Sequence, residues 1–295
     1  MSFMPIINLK IRKTMKVSDV FFSGNRFGYL FKKELMEDMK KNLMRCIVLF
    51  GIFLVLFLFV GFNSYNVNPY HVATYDKLWD PMTIFFIFGI FIGACLSATY
   101  ITEKMKNKTG KISVMMLPAT SFEKFSVRWL TYCIGFLLLY FLAFELADWI
   151  RVLVLSNYFP KETINSFPVW RVITTGEFRT DEIVSSKQRQ IVSIVIAVFW
   201  AMQSFFVLGS TLWQKNSFLK TAVALFALCA GIGLVAYWST KLFIPDDFYI
   251  RMNKYEYISE ETGRLMVSIF FYAIALFNTV LAYFRYKEME VINRL

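Results

Sequence analysis

The sequence predicts an all-α protein that crosses a membrane six times with both chain ends in the cytoplasm. Three observations carry this expectation. Of the 295 residues, 57% are hydrophobic and only 18% charged, whereas soluble domains carry about 25% charged residues. The apolar residues gather into six blocks, each near the roughly 20 residues a helix needs to cross a bilayer. Lysine and arginine are divided unevenly among the connections, which sets an orientation.

The six blocks run at about 43–62, 82–101, 127–147, 191–209, 218–238 and 265–286. None alternates as a barrel strand would. Helices satisfy their own backbone in lipid, so helices are expected. Residues 1–45, 102–128, 210–220 and 285–295 hold 21 of the 32 basic residues and 8 acidic ones. The connections 63–81, 148–190 and 239–264 hold 11 basic and 12 acidic residues. The first group is therefore assigned to the cytoplasm. The net charge of +11 follows largely from this topology, and no nucleic-acid partner is expected. No secretory signal peptide is expected either: the first forty-odd residues are basic and polar, and no small-residue cleavage site follows the first block.

The chain reads as one membrane domain, with a cytoplasmic N-terminal segment over 1–42 and its longest external segment over 148–190. That segment begins with "DWIRVLVL", which either continues the third helix or lies along the interface. It then passes through "NYFPKETINSFPVW", whose prolines break regular structure. Gly89, Gly93 and Ser97 recur every fourth residue in the second span, as do Ala227 and Gly231 in the fifth. Such stripes let helices approach closely, within the chain or between subunits. Cys46, Cys95, Cys133 and Cys229 form no CxxC and have no nearby histidine, and read as small packing residues.

Reactive groups do not converge. The single histidine, His71, has only Asp76 and Asp80 near it in sequence, a poor metal signature. Glu260 and Glu261 of "SEETGR" resemble the glutamate pair of intramembrane metalloproteases, but no histidine-bearing partner helix exists. There is no GxxxxGK[ST] phosphate loop. No catalytic residue, metal or cofactor is expected. Glu145 is a functional intramembrane acid, or it is interfacial, or it pairs with Arg151, near Asp148. Gln203, Ser204 and Asn278 read as interhelical hydrogen-bonding groups.

Two amphipathic elements lie on the expected cytoplasmic side. In "NRFGYLFKKELMEDMKKNLMR", residues 25–45, the side chains of Phe27, Leu30, Phe31, Leu35 and Met39 fall on one helical face. Lys32, Lys33, Lys40 and Lys41 flank it, within reach of lipid phosphates, so an interfacial helix is expected. The second element follows the basic lead-in "EKMKNKTGK". Pro118 precedes Thr120 and Glu123, which have capping-box spacing. Phe122, Phe125 and Trp129 then make an aromatic stripe, with Glu123, Lys124 and Arg128 largely on other faces. This short helix either anchors at the membrane surface or contacts a partner, its charges outward and its aromatic side in the interface.

At these residues the chain resembles the permease subunits of ATP-binding-cassette exporters of the type-2 class. "MMLPATSFEKFSVRWL" is similar to a segment of Bacteroidetes members, and "NRFGYLFKKEL" to their N-terminal lead-in. The resemblance implies a bacterial inner-membrane permease, coupled to a separate ATPase through the 120–130 helix and paired with a second copy or a related permease. Lipid-like molecules, peptides, antibiotics and polysaccharide all remain open as substrates. The family commonly has re-entrant helices between spans five and six, whereas "KLFIPDDFYIRMNKYEYISEETGR" is only slightly hydrophobic. The alternative is a membrane scaffold or sensor that does not transport and uses 148–190 for external recognition.

Overall fold

The computed structural model describes residues 21–67, 78–160, 164–175, 186–213, 215–243 and 260–291, and among them every regular element is helical. In chain order these are α1 (Gly24–Val67), α2 (Trp79–Ala98), a 3-10 segment (Thr99–Met105), α3 (Lys108–Met115), α4 (Ser121–Trp129), a π segment (Leu130–Ile134), α5 (Gly135–Tyr158), α6 (Val169–Thr175), α7 (Ser186–Leu212), α8 (Ser217–Phe243) and α9 (Glu260–Val291). Six stretches are long and apolar enough to cross a membrane, matching the six sequence blocks.

Two of the rods run further than their apolar blocks. The expected interfacial helix is not a separate element: α1 runs unbroken for 44 residues, about 66 Å at 1.5 Å per residue. That is roughly twice the hydrocarbon thickness of a bilayer. The reason is local. Between Tyr29 and Phe50 there is no glycine or proline, and Leu, Lys, Glu and Met sustain a helix. The third span likewise begins at Ser121 and ends at Tyr158, a rod of 38 residues with one π turn inside it. "DWIRVLVL" thus continues the third helix.

Two cores hold the rods together. One gathers Phe53 and Phe57 of α1, Met82 and Phe86 of α2, Tyr140 and Phe144 of α5, and Phe167. Its aromatic rings meet edge to face, as at Phe57 and Phe144, 5.0 Å apart. Gly89 and Gly93 make this closeness possible. A Cβ on Gly89 would sit 2.6 Å from the Tyr140 hydroxyl, and one on Gly93 2.6 Å from the Phe136 ring. Ser97 continues the seam, its hydroxyl donating to the Tyr132 carbonyl at 2.6 Å. This small-residue stripe therefore serves packing within the chain. The second core joins Cys95, Ile101, Phe125, Cys133, Phe206, Val207 and Tyr286.

The fifth-span stripe behaves differently. α8 touches the body near its start, where a Cβ on Gly209 would collide with Thr221. From Phe226 to Ser239 every residue is exposed, Ala227 and Gly231 included. A Cβ on Gly231 would meet nothing within 4 Å. His71, Asp76 and most of the segment between spans five and six lie outside the described residues.

At the far end of α5, Arg151 and Asp148 are both buried and pair at 2.8 Å. Arg151 also donates to the Asn165 carbonyl at 2.7 Å, and Asp148 accepts from the Phe167 backbone N–H at 2.8 Å. The pair thus clamps the segment that leads into α6. Glu145 is exposed and forms no ion pair among the described residues, so of its expected roles the pairing with Arg151 does not hold. Replacing one member of a buried pair strands the other charge, at a cost of about 3–5 kcal/mol. Arg151→Met is expected to lower the thermal unfolding temperature in detergent strongly, and Glu145→Gln to leave it nearly unchanged. Equal effects would show that Asp148 does not depend on Arg151.

Candidate functional site

The segments rich in lysine and arginine converge at one end of the bundle. Residues 21–45 meet the connection between α2 and α4 and α4 itself there, and these meet the ends of α7 and α9. The Thr102 hydroxyl donates to the Ser210 carbonyl at 2.8 Å, and Phe125 stacks obliquely against Tyr286 at 5.5 Å.

The start of α4 is fixed by its own sequence. Thr120 is extended (φ −71°, ψ 155°), and its side chain accepts the Glu123 N–H while Glu123 accepts the Thr120 N–H. These distances are 3.3 and 3.2 Å, so the predicted capping box is present. The box is only part of what Glu123 does. Its two oxygens also accept from Arg26 Nε at 2.7 Å, Arg26 Nη2 at 2.8 Å and the Ser23 N–H at 2.8 Å. This is a two-pronged guanidinium–carboxylate pair, the strongest ionic geometry available to side chains. Phe21 then lies over Phe122 with ring centroids 5.1 Å apart. Residues 21–26 are thereby tied down on α4.

The expected outward charged face of α4 is turned inward. Glu123, Lys124 and Arg128 are all buried. Arg128 pairs with Glu34 at 3.4 Å and donates to the Ile101 carbonyl at 3.4 Å. The aromatic side is covered by protein as well. Phe122 and Phe125 meet Tyr283 of α9, each at 5.8 Å, and Trp129 stacks on Trp200 of α7 at 6.2 Å.

The same inversion affects α1. Its buried stripe is Leu30, Glu34 and Asp38, spaced four residues apart on one helical face. The expected apolar face is split: Leu30 is buried and Phe27 and Phe31 half-buried, while Leu35 is 40% and Met39 62% exposed. The cause is Lys104, at the end of the 3-10 segment. Its amine lies 3.1 Å from Glu34, 3.1 Å from Glu37 and 3.0 Å from Asp38. The Tyr132 hydroxyl donates to Asp38 at 3.1 Å. Charge matching draws the acidic face inward and leaves Lys32, Lys40 and Lys41 exposed on the outside, where they make no ion pair among the described residues. Lys33 bridges to Glu37 at 3.4 Å. Further along, Arg45 pairs with Glu103 at 3.1 Å and lies 3.9 Å above the Tyr100 ring.

The sequence reading missed Arg26, Glu34, Asp38, Lys104 and Tyr132 as members of this cluster. A signal was present. All three acids of residues 21–45 fall within one five-residue stretch, an odd placement for a helix meant only for lipid phosphates. Among the described residues no set of metal ligands occurs. The cluster joins the N-terminal half of α1 to the second and third spans by ionic bonds.

Glu123→Gln keeps a side chain able to cap α4 but removes the charge paired with Arg26. The loss is expected to be about 1.5–3 kcal/mol, the range for hydrogen bonds to charged groups. Combined with Arg26→Gln, the losses are expected to be less than additive, with a coupling of about 0.5–3 kcal/mol. Unfolding of the two single variants and the double variant in detergent measures this, and strict additivity would mean that the pair does not form. Comparison with family models, with curated proteins and with solved structures gives no match to this chain.

Proposed function

We propose that the chain is the permease subunit of an ATP-driven exporter of the ATP-binding-cassette type-2 class. It would sit in a bacterial inner membrane, work with a separate ATPase, and pair with a second copy or a related permease. The observation that carries this reading is the construction of the α4 junction. α4 is the first part of the same rod as the third span, and it is bonded to α1 through Glu123–Arg26 and Arg128–Glu34. A push at this end would move the first and third spans together, as a coupling device requires. The absence of a phosphate loop from the sequence fits an ATPase on another chain.

With the α4 charges turned inward, the docking surface shifts to α3. Ile112 is 52% and Met116 79% exposed, one helical turn apart. Lys106 and Lys108 beside them are exposed too. An ATPase groove with an apolar floor and an acidic rim would fit this face. The second reading, a scaffold or sensor, draws on the Arg151–Asp148 clamp, which holds a shaped surface at the opposite end with Trp170 on the outside.

The Ile112→Asp, Met116→Asp double variant is expected to reduce ATPase copurification in mild detergent about tenfold or more, as loss of an apolar anchor does. Its own unfolding temperature should not change. Lys124→Glu should instead destabilise the chain, because that side chain is buried. Wild-type recovery with the α3 variant would exclude this docking face. Failure to recover any ATPase with the wild-type chain would favour the scaffold.

Orientation is tested separately, in a chain with Cys46 and Cys229 replaced by alanine. Lys108→Cys is expected to react with impermeant maleimide only from the cytoplasm, and Ser166→Cys only from outside. The reverse pattern would overturn the assignment.

A further inference from the structure

Among the polar groups inside the spans, one is left unused by the contacts between helices. Asn278 of α9 donates to the Ser204 hydroxyl of α7 at 3.2 Å, and Ser204 donates to the Ala201 carbonyl at 2.7 Å. That pair ties the two helices together. Gln203, its neighbour, is only 2% exposed, yet neither its amide nitrogen nor its amide oxygen has a hydrogen-bond partner among the described residues. Burying both atoms unsatisfied is costly, and a buried polar group without a partner calls for an explanation.

Gln203 lines a cleft of about 390 Å³ between α7, α9 and the end of α4. The stacked indoles of Trp129 and Trp200 form part of its wall, and Thr279 and Tyr272 add hydroxyls. No Asp, Glu, Lys, Arg or His is among the described residues lining it. Its rim includes Leu276, 69% exposed, and Val280, 46% exposed. Both belong to a helix apolar enough to span the membrane, so this rim meets acyl chains. Gln203 is nine residues from the end of α7 at Leu212, about 13 Å along the helix. In a hydrocarbon layer about 30 Å thick, that places the carboxamide well below the headgroups.

We propose that this cleft binds an uncharged, hydroxyl-headed lipid of the diacylglycerol class, with the headgroup on Gln203 and an acyl chain across the indoles. A carboxamide offers one acceptor and donors together, and a hydroxyl answers both. A phospholipid headgroup would bring its charges below the membrane surface to a wall with no ionised partner, which is strongly unfavourable. A water-soluble ligand would have no route through the lipid-facing rim. The site is independent of the exporter reading and holds for a scaffold as well.

The test uses the full chain in phosphatidylcholine nanodiscs containing acyl-brominated diacylglycerol or acyl-brominated phosphatidylcholine. Bromine quenches indole fluorescence on contact. The diacylglycerol is expected to give saturable quenching at a few mole per cent, and the phosphatidylcholine only a gradual, non-saturating decline. The Trp129→Phe, Trp200→Phe double variant should lose the saturable component, which assigns it to this cleft. Gln203→Leu should weaken the apparent affinity at least tenfold. Gln203→Leu should also unfold, in lipid-free detergent, at the same temperature as the wild type or higher, because it removes unsatisfied atoms from the interior. Four results would each overturn the proposal: no saturable quenching, equal saturable quenching by phosphatidylcholine, wild-type affinity in Gln203→Leu, or saturable quenching that survives loss of both indoles. A lower unfolding temperature for Gln203→Leu would also overturn it, by making the side chain a support of the fold.

Discussion

Two carboxylates one helical turn apart, Glu34 and Asp38, determine the arrangement of the basic end of the molecule. Both are buried, and a buried carboxylate has to find cations or lose its charge. Lys104 and Arg128 come from two other elements to meet them. The 3-10 segment must therefore lie against α1, and α4 must turn its Arg128 face the same way. Once α4 is so placed, its aromatic side is directed at α9 and the Glu123 carboxylate at Arg26. Ionic pairing of this kind adds little net stability compared with apolar packing of the same volume, but it strongly penalises wrong arrangements. Its consequence here is a fixed register between the first span and the third.

The opposite end is held by different means. There the Phe53, Phe57, Phe86 and Phe144 rings interlock, and Gly89 and Gly93 leave room on α2 for the Tyr140 and Phe136 side chains of α5. A single buried pair, Asp148–Arg151, secures the segment leading into α6 through backbone groups. One end is thus specified by charge and the other by shape.

The six spans were legible because lipid imposes a length and an apolar composition that any reader of the sequence can find. The α4 cap was legible because both members of the box lie within four residues. What could not be read was the direction in which each amphipathic helix faced. Phe27, Leu30, Phe31, Leu35 and Met39 do share a face, yet Glu34 and Asp38 prevail, since their partners lie far off in sequence. Arg26 and Glu123 are 97 residues apart, and no periodicity within a window reports such a pair. The small-residue stripes show the same limit. Gly89 and Gly231 look equivalent as spacing, and only the presence of Tyr140 across from one of them tells them apart.

The isolation of α8 links the fold to the material around it. Its basic residues Lys220 and Lys241 are separated by about 31 Å along the axis, close to the thickness of an average hydrocarbon layer. From Phe226 to Ser239 α8 is exposed along its length. A helix without neighbours meets a thinner bilayer by leaning and a thicker one by standing upright. Along that stretch no other described helix covers α8 to resist such a change, in contrast to the ion-paired and ring-packed helices.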